Sequence, residues 1–275
     1  MEQPTSDRNK KISIRTERIN ALRQACTSGE IKFDSVRKEF VTKAFRALAI
    51  DNVDLTINPG EFVCLLGRSG CGKSTMLNML AGFIDPSEGQ VLVDGNAVQG
   101  PGLDRGIVAQ NGALFPWLTA LANVEFGMRM KGVPKAERTQ EARRLLRLFG
   151  LESFENSYPL QLSGGMQQRV AIARAMAVAP EILLMDEPFG ALDDITRHTM
   201  QEELLDAWMR TNTTAIFVTH SISEAVILAD RVVVMAPRPG RVVADIAIDL
   251  PDPRDPATPS FTNYYKEIRQ AIGSE

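Results

Sequence analysis

The segment Gly67-Arg68-Ser69-Gly70-Cys71-Gly72-Lys73-Ser74 carries the spacing G-x-x-x-x-G-K-[ST]. In that pattern the glycines let the backbone close around an anion while successive N–H groups at a helix start point at phosphate. Lys73 is placed to neutralise the β and γ phosphates of a nucleotide, and Ser74 to offer its hydroxyl to Mg²⁺. Cys71 fills a variable position and is expected to pack. A second turn, Leu162-Ser163-Gly164-Gly165-Met166-Gln167-Gln168, also reads as a phosphate-ready helix start but has no lysine. It either closes over the same nucleotide or serves a nucleotide held by another chain.

Two further segments end in polar groups that packing does not explain. Ile182-Leu183-Leu184-Met185-Asp186-Glu187 is an apolar run closing on two carboxylates, and buried acids are costly unless paired or bound to metal. Side chains alternate along a strand, so the two acids point different ways. Asp186 would face a Mg²⁺ shell directly or through a water, and Glu187 would take the proton of an attacking water. His220 ends the run Ala215-Ile216-Phe217-Val218-Thr219. In a parallel sheet it would emerge at the same edge as Asp186 and the phosphate loop, where such folds bind ligands. Gln110 follows Ile107-Val108-Ala109, and its amide oxygen could reach the metal. The aromatics of Phe115-Pro116-Trp117 just beyond it would be either local loop packing or a partner-binding patch. His198, on a polar helical segment, is given no chemical role.

These residues need strands to carry them and helices to cover the strands. Glu61–Leu66 reads as a buried strand leading into the phosphate loop, and Lys73–Phe83 continues at helical spacing through Met76, Leu77, Met79 and Leu80. Short strands are expected over 90–93, 106–109, 182–185, 214–218, 232–235 and 242–248. Interleaved strands and helices predict an α/β fold with a largely parallel sheet. Between Trp117 and Val178 no strand signal occurs. There Ala142, Leu145, Leu146 and Phe149 recur at i, i+3, i+4 and i+7, with Gly150 as a helix stop. This predicts an all-helical insertion over about 117–178 that ends in the Ser163-Gly164-Gly165 turn. After a Pro-rich linker at 252–260, Phe261, Tyr264, Tyr265, Ile268 and Ile272 form one apolar stripe, read as a packing face.

Composition sets outer limits. The chain has 275 residues, 44% of them apolar and 24% charged, enough for one large α/β domain with an inserted subdomain. A net charge of -3 gives no electrostatic footprint for nucleic acid. The three cysteines lack metal-site spacing and suggest a reducing compartment. No apolar run approaches the roughly 20 residues that span a bilayer, so any membrane role is expected to be peripheral. Residues 1–30 hold six Lys/Arg against four Asp/Glu and read as a mostly flexible arm.

Together the motifs resemble the ATP-binding subunit of ABC transporters. Gly67–Thr75 is similar to its Walker A, Gln110 to its Q-loop, Leu162–Gln168 to its signature, Ile182–Asp186 with Glu187 to Walker B and the catalytic glutamate. Gly190-Ala191-Leu192-Asp193 is similar to the D-loop and His220 to the switch histidine. The resemblance implies a P-loop NTPase (RecA-like) core over about residues 31–250, with an antiparallel β portion. It also implies ATP and Mg²⁺ as ligands, with Ser74, Gln110 and Asp186 on the metal. Two cassettes pair head to tail in this family, so Ser163 and Gly165 of one chain would contact ATP held by Lys73 of the other, with Asp193 nearby. Glu187, His220, Gln110 and Lys73 are the expected catalytic set. Phe40 is the expected adenine-stacking aromatic, contributed from the loop after the first strand, with Phe33 and Phe45 as alternatives.

Within the family, Phe115-Pro116-Trp117-Leu118-Thr119 and Met235-Ala236-Pro237-Arg238-Pro239-Gly240-Arg241 look most like the ATPases of nitrate, sulfonate and taurine importers. That resemblance implies a homodimer on the cytoplasmic face of the inner membrane, bound to transmembrane permease subunits. A periplasmic solute-binding protein would act indirectly. The expected cargo is taurine or another sulfonate, with nitrate as the nearest alternative. An ABC ATPase acting on nucleic acid or ribosomes usually brings a coiled-coil or zinc insertion, or paired cassettes, and none is visible. A subunit that binds ATP without turnover is disfavoured by the intact Lys73, Glu187 and His220. With only a linker and one helix over 251–275, regulation by a sizeable domain like those of the sugar-importer ATPases is not expected.

Overall fold

The computed structural model describes residues 26–42, 45–190, 192–211 and 213–273; most of the arm expected over 1–30 therefore lies outside the described residues. By its internal contacts the chain divides into two compact units, one formed by the residues through Pro101 with those from Thr214 onward, the other by Gly102–Thr213. Elements are numbered along the chain.

The first unit is organised around β3 (Phe62–Gly67), every residue of which is buried. A continuous apolar run of this kind suits a parallel strand covered on both faces. It pairs in parallel with β8 (Thr214–Thr219) on one side and with β9 (Arg231–Ala236) on the other. β10 (Arg241–Ala247) runs antiparallel to β9 and closes that edge. A separate antiparallel sheet has the order β2-β1-β4-β5, formed by β1 (Ile31–Val41), β2 (Arg46–Ile57), β4 (Glu88–Val93) and β5 (Asn96–Ala97). In β1 the alternation of buried Ile31 and Phe33 with exposed Lys32 turns one face to the core.

Helix α1 (Lys73–Leu80) follows β3 and buries Met76, Leu77, Met79 and Leu80 as their spacing predicts, ending three residues before Phe83. α6 (Ile222–Leu228) follows β8. The C-terminal stripe forms α7 (Pro259–Gly273), which buries Phe261 and Ile268 and packs on α6 and β9.

In the second unit β6 (Arg105–Val108) and β7 (Ile182–Asp186) pair in parallel, with Val108 opposite Met185. Between them the described residues form helices and loops only: α2 (Ala120–Met130), α3 (Lys135–Leu148), two short 3-10 turns and α4 (Gly164–Ala177). Thr119 caps α2, accepting from Ala122 N at 3.2 Å. The α3 positions Ala142, Leu145 and Leu146 are buried with Phe149, and Gly150 stops the helix at φ +65°. α5 (Asp194–Trp208) follows β7, and Trp208 Nε1 donates to Thr213 O at 2.7 Å. None of the helices among the described residues is long and apolar enough to cross a membrane.

Candidate functional site

In the first unit the candidate residues gather at the end of β3. Gly70 and Gly72 hold φ of +82° and +94°, a region that L side chains rarely adopt. They fold residues 68–72 into a turn that delivers the chain into α1. Gly72 stands at the N-cap and provides no side-chain acceptor, so the first N–H groups of α1 are left to other acceptors. Lys73 is only 5% exposed. Its Nζ turns back along the loop, donating to Gly67 O at 2.7 Å and Arg68 O at 3.3 Å. Arg68, Ser69, Gly70 and Ser74 are exposed around this start, and Thr75 is half-buried. An uncapped helix start with a lysine folded beside it has the donors and the charge that favour an anion.

Close backbone contacts form the floor of the loop. Cys71 is fully buried, as expected for a packing residue. A Cβ at Gly67 would meet Met235 O at 2.5 Å and Cys71 Sγ at 2.6 Å. Gly240, between β9 and β10, donates to Ala49 O at 2.9 Å and accepts from Asp51 N at 2.9 Å. A Cβ there would lie 2.3 Å from Cys71 O.

His220 is exposed one residue beyond Thr219, which pairs with Leu66. His220 and Gly67 therefore leave neighbouring strands at the same edge. Side chains on both sides fix the turn that carries the imidazole. Thr219 Oγ1 donates to Glu224 Oε2 and accepts from Ser221 N at 3.0 Å, while Ser221 Oγ accepts from Glu224 N at 3.3 Å.

Among the aromatics, Phe33 is 2% exposed and has no free face, whereas Phe40 and Phe45 are 38% and 56% exposed. Phe40 lies within β1, opposite Ala47, and not in the loop after it. The pairing of β1 with β2 is irregular, with register shifts between Phe33 and Glu39. Lys38 Nζ stands 5.2 Å from the Phe40 ring centroid.

In the second unit, the parallel register sets Gln110, two residues past Val108, at the same sheet edge as Glu187, two past Met185. Gln110 is exposed, and Asp186 and Glu187 are half-buried. Glu187 has φ +43°, and its carbonyl accepts from Gly190 N at 3.1 Å. A non-glycine residue in that region is strained, and strain of this kind clusters at functional sites. The segment after Gln110 is strapped to α4. Arg174 donates to Ala113 O at 2.9 Å and Gly112 O at 3.1 Å, with its guanidinium 5.3 Å from the Phe115 ring centroid. Gln168 Nε2 reaches Ala109 O at 3.4 Å. Phe115 packs against Phe126 while Trp117 is 70% exposed.

Ser163 caps α4, accepting from Met166 N at 3.3 Å. Its neighbour Gly164 has open space in its Cβ direction, whereas a Cβ at Gly165 would come 3.0 Å from Leu192 Cδ2. Asp193 caps α5, accepting from Thr196 N at 3.0 Å and Thr196 Oγ1 at 2.7 Å. These bonds, the backbone one foremost, hold its carboxyl below the usual range. Among the described residues no cluster of three or more His, Cys, Asp or Glu could hold a metal ion. Mg²⁺ takes few protein oxygens and completes its shell with phosphates and water, and Ser74, Gln110 and Asp186 each carry a side-chain oxygen of that kind.

Sequence reasoning passed over Arg174 and Glu224, and named Gln168 and Gly240 only as members of longer motifs, without the contacts they make. The spacing of Thr219, Ser221 and Glu224 at a helix start was the one available signal, a Ser followed three residues later by Glu. The other three act across gaps in sequence that no local pattern spans.

The family profile described as ABC transporter matches residues 50–190. An uncharacterized ABC transporter ATP-binding protein of Methanocaldococcus jannaschii is 50% identical over 246 residues, covering 90% of this chain and 92% of the relative. The taurine import ATP-binding protein of Rhizobium johnstonii is 47% identical, covering 89% and 97%. The nitrate import ATP-binding protein of a Synechocystis species is 46% identical, covering 85% and 87%. Among solved structures, a dimeric post-hydrolysis ATP-binding cassette bound to ADP and Pi matches with a TM-score of 0.72 at 36% identity, covering 80% of this chain and 99% of that chain. The chain belongs to the ABC transporter family and is an ATP-binding subunit of it, an ATPase with the α/β fold of P-loop NTPases.

Proposed function

We propose that this chain is the ATPase of an importer for a small organic anion or zwitterion, taurine or another aliphatic sulfonate first and nitrate second. The observation that carries the ATPase part is the Lys73 ammonium folded onto Gly67 O beside the uncapped start of α1. The names of the taurine and nitrate import relatives support the choice of cargo.

In this reading residues 31–250 form the ATPase domain, with a helical subdomain over about 117–178. Lys73 and the N–H groups of Gly67–Thr75 bind the phosphates, and Phe40 stacks on adenine. Ser74, Gln110 and Asp186 would hold Mg²⁺, which when bound draws charge from the transferred phosphoryl group. Glu187 takes the proton of the attacking water and His220 contacts the γ-phosphate. Ser163 and Gly165 reach the γ-phosphate held by a second copy, with Asp193 at the same junction. Support for that pairing comes from the open space at Gly164, from the lack of a lysine in the Ser163 turn, and from the dimeric form of the solved relative. Closure of the pair would move bound permease subunits at the cytoplasmic face of the cell membrane.

Glu187→Gln is expected to keep ATP binding, lower steady-state phosphate release by about 100-fold or more, and accumulate dimer in gel filtration with ATP. Brisk turnover by that variant would remove the base assignment. For cargo, the complex copurified with its neighbours and placed in vesicles should hydrolyse ATP faster when its solute-binding protein carries taurine. Stimulation by nitrate alone selects the second reading.

A further inference from the structure

The Pro-rich linker and α7 have no part in the mechanism above, yet the linker places a buried charged pair against α6, the helix that follows His220. Arg254 and Asp252 have side chains only 4% and 5% exposed, with Nε and Oδ1 at 3.5 Å. Arg254 Nη1 donates to Val226 O at 2.7 Å and also to Ala229 O. Those carbonyls close α6, and a cation is favoured at that end by the helix dipole and the orphan acceptors. At the other end of α6, the Thr219, Ser221 and Glu224 bonds tie its first turn to the His220 turn. The helix is seven residues long, so both ends belong to one stiff unit of two turns.

A third element reports the same enclosure. Cys64, at the centre of β3, feels Glu224, Arg254 and Asp230. Burial first, then the two acids, push its thiol well above the usual value, and Arg254 opposes them. Asp230 is bonded to β3 as well, accepting from Phe62 N at 2.9 Å. Behind Arg254, α7 packs on α6 and β9 with Phe261 and Ile268 buried, so the linker is held at both of its ends.

We propose that Arg254 is a positioning residue for His220, holding α6 from its C-terminal end so that the imidazole at the other end stays at the β3–β8 edge. The inference rests on the assignment of His220 to the γ-phosphate. It gives Arg254 a role in turnover and not in ATP binding, because its donor bonds go to Val226 and Ala229, whereas the atoms nearest the glycines of the Lys73 loop belong to Ala49, Ile50, Cys71 and Met235.

The test is a double-mutant cycle on the full chain, read by single-turnover ATP hydrolysis with enzyme in excess and by ATP titration. Arg254→Ala is expected to lower the hydrolysis rate about tenfold or more with ATP affinity within about twofold of the parent. In a His220→Ala background the same change should cost less than about twofold, because the imidazole it positions is gone. Arg254→Lys, which keeps a donor for the carbonyls, should recover most of the rate. Equal losses in both backgrounds, or a lower melting temperature with an unchanged rate, would overturn the proposal in favour of a purely structural clamp. If Arg254→Ala does not fold, Arg254→Gln enters the same cycle with the same expected non-additivity. A normal rate for His220→Ala alone would overturn the assignment of His220, and is read separately from the cycle.

Discussion

Lys73 Nζ donates to the carbonyl oxygen of Gly67 at 2.7 Å, six residues back along the chain, so the loop's one ammonium lies along its own backbone. The first residue of the loop thereby holds the charge that α1 begins with. Lys73→Ala removes the charge and its bonds to phosphate, and charge-assisted bonds are worth about 1.5–3 kcal/mol each. ATP affinity is expected to fall roughly 10-fold to 100-fold in a fluorescence or calorimetric titration. Lys73→Arg should not restore it, because the side chain occupies a slot only 5% exposed, where a wide planar guanidinium has no room.

Gly240 was invisible as a site residue, yet it touches the carbonyl of Cys71 more closely than any side chain would allow. Gly240→Ala would set a Cβ 2.3 Å from Cys71 O and 2.7 Å from Ala49 O, both backbone atoms that cannot swing aside. Overpacking of this kind costs about 1–3 kcal/mol. The variant is expected to melt several degrees lower and to bind ATP more weakly, although it lies far from Lys73 in sequence. Unchanged affinity in a destabilised protein would mean the loop absorbs the displacement.

What the sequence reveals follows from how local its physics is. The β3 run and the helix after it appear in sequence because a strand buried on both faces is apolar throughout, and β3 lies within one residue of its expected span. The α3 face from Ala142 to Phe149 is equally plain, since its 3.6-residue period is uninterrupted. β1 and β2 escaped individual recognition. Ser35 and Asn52 sit at positive φ, and register shifts around Val36 and Lys38 break the period of two. Charged Arg37, Lys38 and Glu39 along the same strand weaken the apolar signal further. The phosphate loop, the acids Asp186 and Glu187 at the end of β7, and His220 were legible because each ends a local pattern. Arg174, whose partners Gly112 and Ala113 lie about sixty residues earlier, is set by folding alone.

The Ser163 turn offers the sharpest division between a site closed within one chain and one shared between copies. Ser163→Arg fills the open side of the turn with bulk and charge, while Lys73→Ala empties the other anion site. If the turn acts on a second copy, mixing the two variants leaves one complete composite site, made of Lys73 from one chain and Ser163 from the other. Nucleotide occlusion is then expected in the mixture and in neither variant alone, measured by retention of labelled ATP through rapid gel filtration. No occlusion in the mixture, with both variants folded and able to pair, would count against sharing.

Asp193 links the segment after Glu187 to helix α5, and its protonation makes that link pH-dependent. The N–H of Thr196 first, and then its hydroxyl, hold the carboxyl below its usual range. A carboxyl whose folded value is depressed binds fewer protons in the folded state. Its contribution to stability is therefore fully present above the unfolded value, about 3.9, and is lost as pH falls through the folded value. Asn caps helices about as well as Asp but carries no charge to meet the helix dipole. Asp193→Asn should thus melt below the wild type at pH 7, and the gap should close as the pH drops below about 4. Thermal melts of both proteins across that interval read the difference directly. A gap that stays constant into acid would assign the cap's value to its hydrogen bonds alone, and would leave the charge of Asp193 free for the junction between two copies.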